Sequence, residues 1–340
     1  MIFVTGGTGL VGSHLLFELT KQGKKVRALK RETSNLQQVK KTFSCYVENA
    51  QQLFDRIEWV NGDILDYYSL EPLLSGVTEI YHCAAIVSFS RKERQQMIDN
   101  NVEGTGNLVN AALINGVKKI CHVSSIAALG KKQNGEPVTE ETNWNPSKKN
   151  SAYSDSKFYS ETEIWRGMEE GLEGVIVNPS IIFGPGNWES GSSKFFKTIW
   201  DGMKFYTKGT TGFVDVRDVV RAMVLLMEPE NFEKCKSQRF LLNAENLSYQ
   251  NVFNQIADAL QKPRPSVFAS DFMSGIAWRV AAIASLFTRK PAAITREVAT
   301  GRNEIHNYDG SKIKGILDFE YIPVADSIRF TASCMLNELK

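Results

Sequence analysis

Tyr153 and Lys157 stand four residues apart in Tyr153-Ser-Asp-Ser-Lys157, one turn of a helix, so a phenol and an ammonium project from the same face. That pairing suits proton transfer. An unperturbed tyrosine ionises near pH ~10, and a cation held close by stabilises the phenolate and brings it toward neutrality. The remaining donors of Lys157 can bind ribose hydroxyls. The same spacing also occurs on ordinary amphipathic helices, as a solvated lysine beside a half-buried tyrosine. Its place in the chain argues for chemistry, because it follows an apolar run that closes on His122-Val-Ser-Ser125 and delivers hydroxyls where a strand ends. A second constellation opens the chain. Ile2-Phe-Val-Thr5 runs into Gly6, Gly9 and Gly12, a spacing that lets a strand turn sharply, admits a phosphate to bare backbone and starts a helix packed on the sheet. The first amides of that helix then face a pyrophosphate.

The elements that must hold these groups are legible in the alternation of the sequence. After the glycines, Leu15, Leu16 and Leu19 form an amphipathic run, and Gly23-Lys24-Lys25 leads into a second strand,. Strands are predicted at Ile2 to Thr5, Val26 to Leu29, Ile57 to Asn61, Glu79 to Cys83, Ile120 to Ser124 and Val175 to Asn178,. Helical runs fall between them, most clearly Asn101 to Asn115, which Gly116 stops,. This is the pattern of an α/β protein with a doubly wound parallel sheet covered on both faces. Beyond Pro185, glycines, polar residues and aromatics crowd into 186–212, read as an irregular stretch closing over the carboxyl edge of the sheet,. Residues 1–179 are assigned to a dinucleotide-binding domain. Residues 180–340 form a smaller, interleaved C-terminal lobe with some segments returning to the sheet,.

Composition narrows the partners. With 340 residues, 42% of them hydrophobic, the chain can bury a full core, and 40 basic against 38 acidic residues give a formal charge of +2,. Neither nucleic acid nor an anionic membrane is implied as the main partner. Cys45, Cys83, Cys121, Cys235 and Cys334 contain no CxxC pair and read as buried thiols in a reducing compartment, with no metal expected,. The first strand begins at residue 2, leaving no room for a signal peptide and making the cytoplasm the expected location,. Residues 274–288 are apolar on most sides but, at about 14 residues, too short to span a bilayer, which takes about 20,. They read as a helix packed on the smaller lobe or a lid, or else as an interfacial helix touching a membrane surface.

Taken together, these motifs resemble the extended short-chain dehydrogenases/reductases, a Rossmann-fold group of nucleotide-sugar epimerases, dihydroflavonol reductase-like and 3β-hydroxysteroid dehydrogenase-like enzymes. The landmarks run in order through nearly the whole chain: Thr5 to Gly12, Gly62-Asp-Ile64, His82-Cys-Ala-Ala85, Asn100 to Thr105, Val123-Ser-Ser125, Tyr153 to Lys157, Asn178 to Pro185 and Phe213 to Asp218. The resemblance implies a catalytic set of Ser125, Tyr153 and Lys157, with Ser124 beside it. Gly6, Thr8, Gly9, Leu10 and Val11 would form the pyrophosphate turn, and Asp63 with Ile64 the adenine contact. Cys83, Ala84, Ala85, Asn100, Ser124, Pro179 and Ser180, together with Tyr153 and Lys157, would line the rest of the cofactor. A nicotinamide would pass hydride to a carbonyl carbon while Tyr153 protonates its oxygen, Ser125 orients that oxygen and Lys157 tunes the tyrosine. The group also implies a homodimer.

Two local departures bear on cofactor and substrate. Sheets that prefer NAD place an acid at the end of the second strand, whereas this chain reads Leu29-Lys30-Arg31, two cations suited to a 2′-phosphate,. NADP(H) is expected, with NAD(H) the alternative should Glu32 take the acidic role. Epimerases of the group commonly hold a sugar-nucleotide diphosphate through an Asn and an Arg, and here Ile181 and Thr211 stand in the matching places. Phe195, Phe196, Trp200, Phe205 and Tyr206 line an apolar substrate or belong to the core of the smaller lobe,. The expected function is therefore an NADP-dependent oxidoreductase acting on a carbonyl or secondary alcohol of a small, largely apolar molecule. The alternatives are a nucleotide-sugar epimerase/dehydratase and a non-catalytic dinucleotide sensor.

Overall fold

All six expected strands form, each within two residues of its predicted bounds: β1 (Ile2–Thr5), β2 (Val26–Lys30), β3 (Ile57–Asn61), β4 (Glu79–His82), β5 (Lys119–Val123) and β6 (Glu173–Pro179). The computed structural model describes residues 1–88, 93–132, 135–147, 150–269 and 304–339. The apolar segment 274–288 lies outside the described residues. Six further strands follow: β7 (Ile181–Phe183), β8 (Phe205–Tyr206), β9 (Thr210–Asp215), β10 (Gln238–Leu242), β11 (Glu245–Ser248) and β12 (Val267–Phe268). The central sheet has seven strands in the order β10-β6-β5-β4-β1-β2-β3, every neighbouring pair parallel. The chain thus reverses its direction of progress across the sheet between β1 and β4, the switch point at which open α/β sheets bind ligands.

Alternation along the strands places one apolar set on each face, and each set is covered by helices. Val4, Val26, Ala28, Val175 and Val177 are buried with Leu15, Leu16, Val219 and Met223 of the helices Leu10–Lys21 and Val216–Met227. Phe3, Ile80, Ile120 and Ile176 are buried on the other face with Leu108, Ala112 and Ile164, from the helices Gly104–Ile114 and Ala152–Glu169. The polar members of this second face stand toward the carboxyl ends. Thr5 is in register with His82, and His82 with His122.

A second core lies beside the three-stranded sheet β11-β9-β7, where Phe183, Phe196, Phe213, Val252, Ile256, Val324 and Ile328 are buried together. Residues 186–212 are more regular than expected. They contain the helix Lys194–Trp200, the strand β8 and the start of β9. The aromatic residues there divide accordingly. Phe196 is fully buried against Phe183, Phe195 and Trp200 pack on the same core, Tyr206 is half-buried, and Phe205 alone is exposed. Phe195, Phe196 and Trp200 are therefore core residues.

Candidate active site

The glycine turn is a cradle of bare backbone. Gly6 has φ +70°, and a Cβ there would come within 2.5 Å of Cys83 C and Ala84 N, so β1 and β4 close on one another only with glycine at this position. At Gly12 a Cβ would lie 2.2 Å from Gly6 O. The turn is closed by Gly9 N donating to Gly6 O at 2.9 Å, and the helix Leu10–Lys21 starts from Gly9 with no side chain capping its free amides. Gly9 is exposed, Thr8 and Leu10 are half-buried, and Val11 is buried. An uncapped helix start above a cradle that no side chain fills is what a dinucleotide pyrophosphate requires, so these residues fit the cofactor.

Around the cradle the other expected cofactor residues occupy strand ends. Cys83 and Ala84 are half-buried just beyond β4, and Ala85 is exposed. Asp63 Oδ1 accepts from Leu65 N at 3.0 Å, while Ile64 is buried with its carbonyl taken by Asn107 Nδ2 at 3.0 Å. Lys30 ends β2 and donates from Nζ to Asn61 Oδ1 at 2.5 Å, and Arg31 and Glu32 are exposed beside it. Pro179 ends β6, and Ser180 N donates to Leu242 O at 3.0 Å. Asn100 is buried on a π-helical turn, Asp99–Glu103, ahead of the helix Gly104–Ile114. The neighbour the sequence reading passed over, Asn101, does the holding there: its Oδ1 accepts from Ile86 N at 2.7 Å and its Nδ2 donates to Ser156 Oγ at 3.1 Å.

At the other end of the edge, Tyr153 and Lys157 project from the helix Ala152–Glu169, which Ser151 caps by accepting from Ser154 N at 3.0 Å. Ser125 lies just past β5 and its hydroxyl is hydrogen-bonded to Tyr153. The sequence thus brings Ser125, Tyr153 and Lys157 to one corner. Burial pushes the Tyr153 phenol above its usual range, and the Ser125 hydrogen bond pulls it back. Lys157 is 2% exposed and donates from Nζ to Val123 O at 2.8 Å. Desolvation lowers its ammonium to about 8, with the charge of Glu161 opposing that shift.

A buried relay joins the two ends. Ala84 N donates to Thr5 Oγ1 at 3.3 Å, Thr5 Oγ1 lies 2.7 Å from His82 Nδ1, His82 Nε2 lies 2.9 Å from Thr105 Oγ1, and Thr105 Oγ1 donates to Asn101 O at 2.6 Å. Because Thr105 spends its proton on a carbonyl, it accepts from Nε2–H, and Nδ1 accepts from Thr5. The ring is neutral in that arrangement, in accord with burial lowering His82 to about 3,. His122 beside it is also held neutral by burial, and its ring nitrogens have no hydrogen-bond partner among the described residues. Among those residues no cluster of His, Cys, Asp or Glu is arranged to hold a metal. The cysteines are free; Cys121, Cys235 and Cys334 are buried as expected, whereas Cys45 and Cys83 are only half-buried, and desolvation pushes Cys83 up to about 12. No helix among the described residues is long and apolar enough to cross a membrane.

Comparison with known proteins agrees with this geometry. The chain matches the NAD dependent epimerase/dehydratase family over residues 2–237. It is 30% identical over 315 residues to a putative dihydroflavonol 4-reductase of Synechocystis sp., covering 91% of this chain and 87% of that one. It is 32% identical over 279 residues to sterol demethylase protein B of Methylococcus capsulatus, covering 81% and 79%. Among solved structures, the dTDP-glucose 4,6-dehydratase of Streptomyces venezuelae with NAD bound shares the fold at a TM-score of 0.77 and 22% identity, covering 99% of this chain and 97% of that one. Sequence, topology and relatives converge: the chain belongs to the NAD dependent epimerase/dehydratase family and is an NAD(P)-dependent enzyme of the extended short-chain dehydrogenase/reductase type.

Proposed function

We propose that the chain is an NADP(H)-dependent oxidoreductase that interconverts a carbonyl and a secondary alcohol on a small, largely apolar substrate. The observation that carries this reading is the corner itself: Ser125 bonded to Tyr153, with Lys157 one turn on, at the same sheet edge as the glycine cradle. When bound, the nicotinamide supplies the hydride. Tyr153 gives or takes the proton at the substrate oxygen, Ser125 orients that oxygen, and Lys157 supplies positive charge beneath. The cations at the end of β2 support NADP(H), with Lys30 steadied by Asn61 and Arg31 free to reach a phosphate in bidentate fashion,. Residues 180–340 then act as the substrate side and 1–179 as the dinucleotide side.

The substrate class follows from what stands where a diphosphate would need partners. Thr211 is 7% exposed and hydrogen-bonded to Tyr308, and Ile181 packs on the second core. Neither supplies a charge to an anion. The relatives named a dihydroflavonol reductase and a sterol demethylase protein support the same direction. The decisive measurement is NADPH and NADH oxidation against aldehydes, ketones and steroids, run with Tyr153→Phe. Turnover with kcat/KM higher for NADPH, lost in the variant, is the expected result; equal use of NADH or an active variant overturns the corresponding part. The likeness to a dTDP-glucose dehydratase favours a second reading, a nucleotide-sugar epimerase/dehydratase, and thermal protection by UDP or dTDP alone would select it.

A further inference from the structure

Beneath the Ser125–Tyr153–Lys157 corner lies a carboxylate that the sequence reading did not single out. Glu161 is one turn beyond Lys157 on the same helix and is 2% exposed. Its Oε2 accepts from Ser124 Oγ at 2.7 Å and Asn178 Nδ2 at 2.8 Å, and its Oε1 from Trp165 Nε1 at 3.3 Å and Arg239 Nη1 at 3.1 Å. The Asn178 amide that binds Glu161 also donates to Ser125 O at 3.1 Å. Both residues of the Ser124–Ser125 pair are thereby fastened to one carboxylate. Arg239 arrives from β10 and is itself anchored by Glu140 O, 2.9 Å from Nε.

Four donors converge on the two oxygens of Glu161 in the interior. Burying the Glu161 carboxylate against the half-buried Arg239 guanidinium costs hydration, and an apolar pair of similar size would often be as stable,. Packing alone therefore gives this charge no reason to be there. Its neighbour does. Of the titratable groups around the Lys157 ammonium, His82 on β4 and His122 on β5 are held neutral, Cys83 at the end of β4 is pushed up and remains a thiol, and Tyr153 remains a phenol. Arg239 pairs with Glu161 Oε1 at 3.1 Å.

We infer that Glu161 is a positioning residue for the active site: it is the buried counter-charge that keeps Lys157 an ammonium, and the anchor that holds Ser124 and, through Asn178, Ser125 in register with Tyr153. This rests on the proposed reading of Tyr153 and Lys157. Without Glu161, desolvation acts on Lys157 unopposed by a neighbouring carboxylate, and buried lysines in that condition lose their proton well below pH ~8.

The test is the titration of Lys157 in the cofactor-free protein, followed by 13C NMR on lysine-labelled enzyme with the resonance assigned by Lys157→Met. Glu161→Gln should lower the midpoint by about one pH unit, a tenfold change in the proton equilibrium. Glu161→Asp, which keeps the charge, should leave it close to wild type, and Arg239→Gln, which removes the cation paired with the carboxylate, should raise it. In turnover, the basic limb of the pH profile should move down with Glu161→Gln and stay in place with Glu161→Asp. An unmoved midpoint in both Glu161→Gln and Arg239→Gln, with activity lowered equally at every pH, would make Glu161 a packing residue and overturn the inference. Should Glu161→Gln fail to fold, Arg239→Gln and Glu161→Asp decide it alone. An active Tyr153→Phe overturns the catalytic reading while leaving the NMR result intact, so the two failures are distinguishable.

Discussion

At the Gly6–Gly12 turn the working surface is backbone, whereas at the Ser125–Tyr153–Lys157 corner it is a set of side chains held from below by others. The turn works by what it lacks. Its amides are free because no side chain caps them, and its strands close because Gly6 carries no Cβ. The corner works by what it buries: an ammonium that donates to Val123 O and a carboxylate that is paired with the half-buried Arg239 guanidinium. Substitution at the turn should therefore cost fold and binding together. At the corner, function and stability should part company.

The largest effect is expected at Gly12. An alanine Cβ there would press on Gly6 O and on Gly7 Cα, 2.9 Å away, both backbone atoms that cannot rotate aside. Gly12→Ala should weaken dinucleotide binding by at least ~100-fold, about 2.7 kcal/mol, and overpacking should lower Tm by roughly 3–10 °C. Quenching of tryptophan fluorescence by NADPH and a thermal melt measure the two. Binding within a few-fold of wild type would mean that the cradle is soft and the contrast with the corner is false.

Lys157→Met should behave in the opposite way. Turnover should fall by at least ~100-fold, the scale of a lost acid–base or electrostatic group. Stability should not fall with it. The ammonium ionises at about 8 in the fold against 10.5 in the unfolded chain, so its burial costs stability, on the order of a few kcal/mol, at every pH below 8. That cost fades as pH rises from 8 to 10.5, where only the unfolded chain still holds the proton. Methionine removes the cost and forfeits the bond to Val123 O and the attraction to Glu161, leaving Tm at pH 7 unchanged or raised by ~2 °C. A melt that drops as far as that of Gly12→Ala would erase the distinction.

The same contrast explains what the sequence made legible. The turn could be read directly from the spacing of Gly6, Gly9 and Gly12, although Gly6 answers also to Cys83 and Ala84 at the end of β4, a contact that only the folded sheet shows. Tyr153 and Lys157 were readable for the same reason, being one helical turn apart. Glu161 continues that face and could have been found by extending the spacing one turn further. Its partners could not, since Asn178 and Arg239 reach it only because β6 and β10 lie side by side at the sheet edge. The seventh strand was hidden likewise: Gln238–Leu242 is an apolar run no different in pattern from others beyond residue 180, and only pairing with β6 puts it in the large sheet. In 186–212 the reverse happened, as the glycines suggested irregularity while Phe196, by packing on Phe183 and Phe213, made a helix of the residues around it.

The seam between the two regions supplies the smallest effect on turnover and the sharpest on pH. The relay from Thr5 through His82 to Thr105 holds only when the imidazole is neutral, because each ring nitrogen already has its role, one as donor and one as acceptor,. His82 resists protonation down to about 3 and His14 down to about 4, the latter held between Tyr46 and Pro185 O, while both take a proton near 6.5 in the unfolded chain. Their contribution is whole above pH 6.5 and drains away as pH falls toward 4, at about 1.4 kcal/mol per unit for each residue. Asp218, raised to about 6 by burial, takes up a proton more readily in the fold than in the unfolded chain and offsets part of that loss. The Tm should fall by ~10 °C between pH 7 and pH 4.5. His82→Asn should start lower at pH 7, having lost the relay, yet fall less steeply on acidification, with kcat/KM changed only a few-fold. If the slope of Tm against pH is the same in variant and wild type, the imidazole is not the group that acid attacks, and the two ends of the site are joined by packing rather than by this chain of hydrogen bonds.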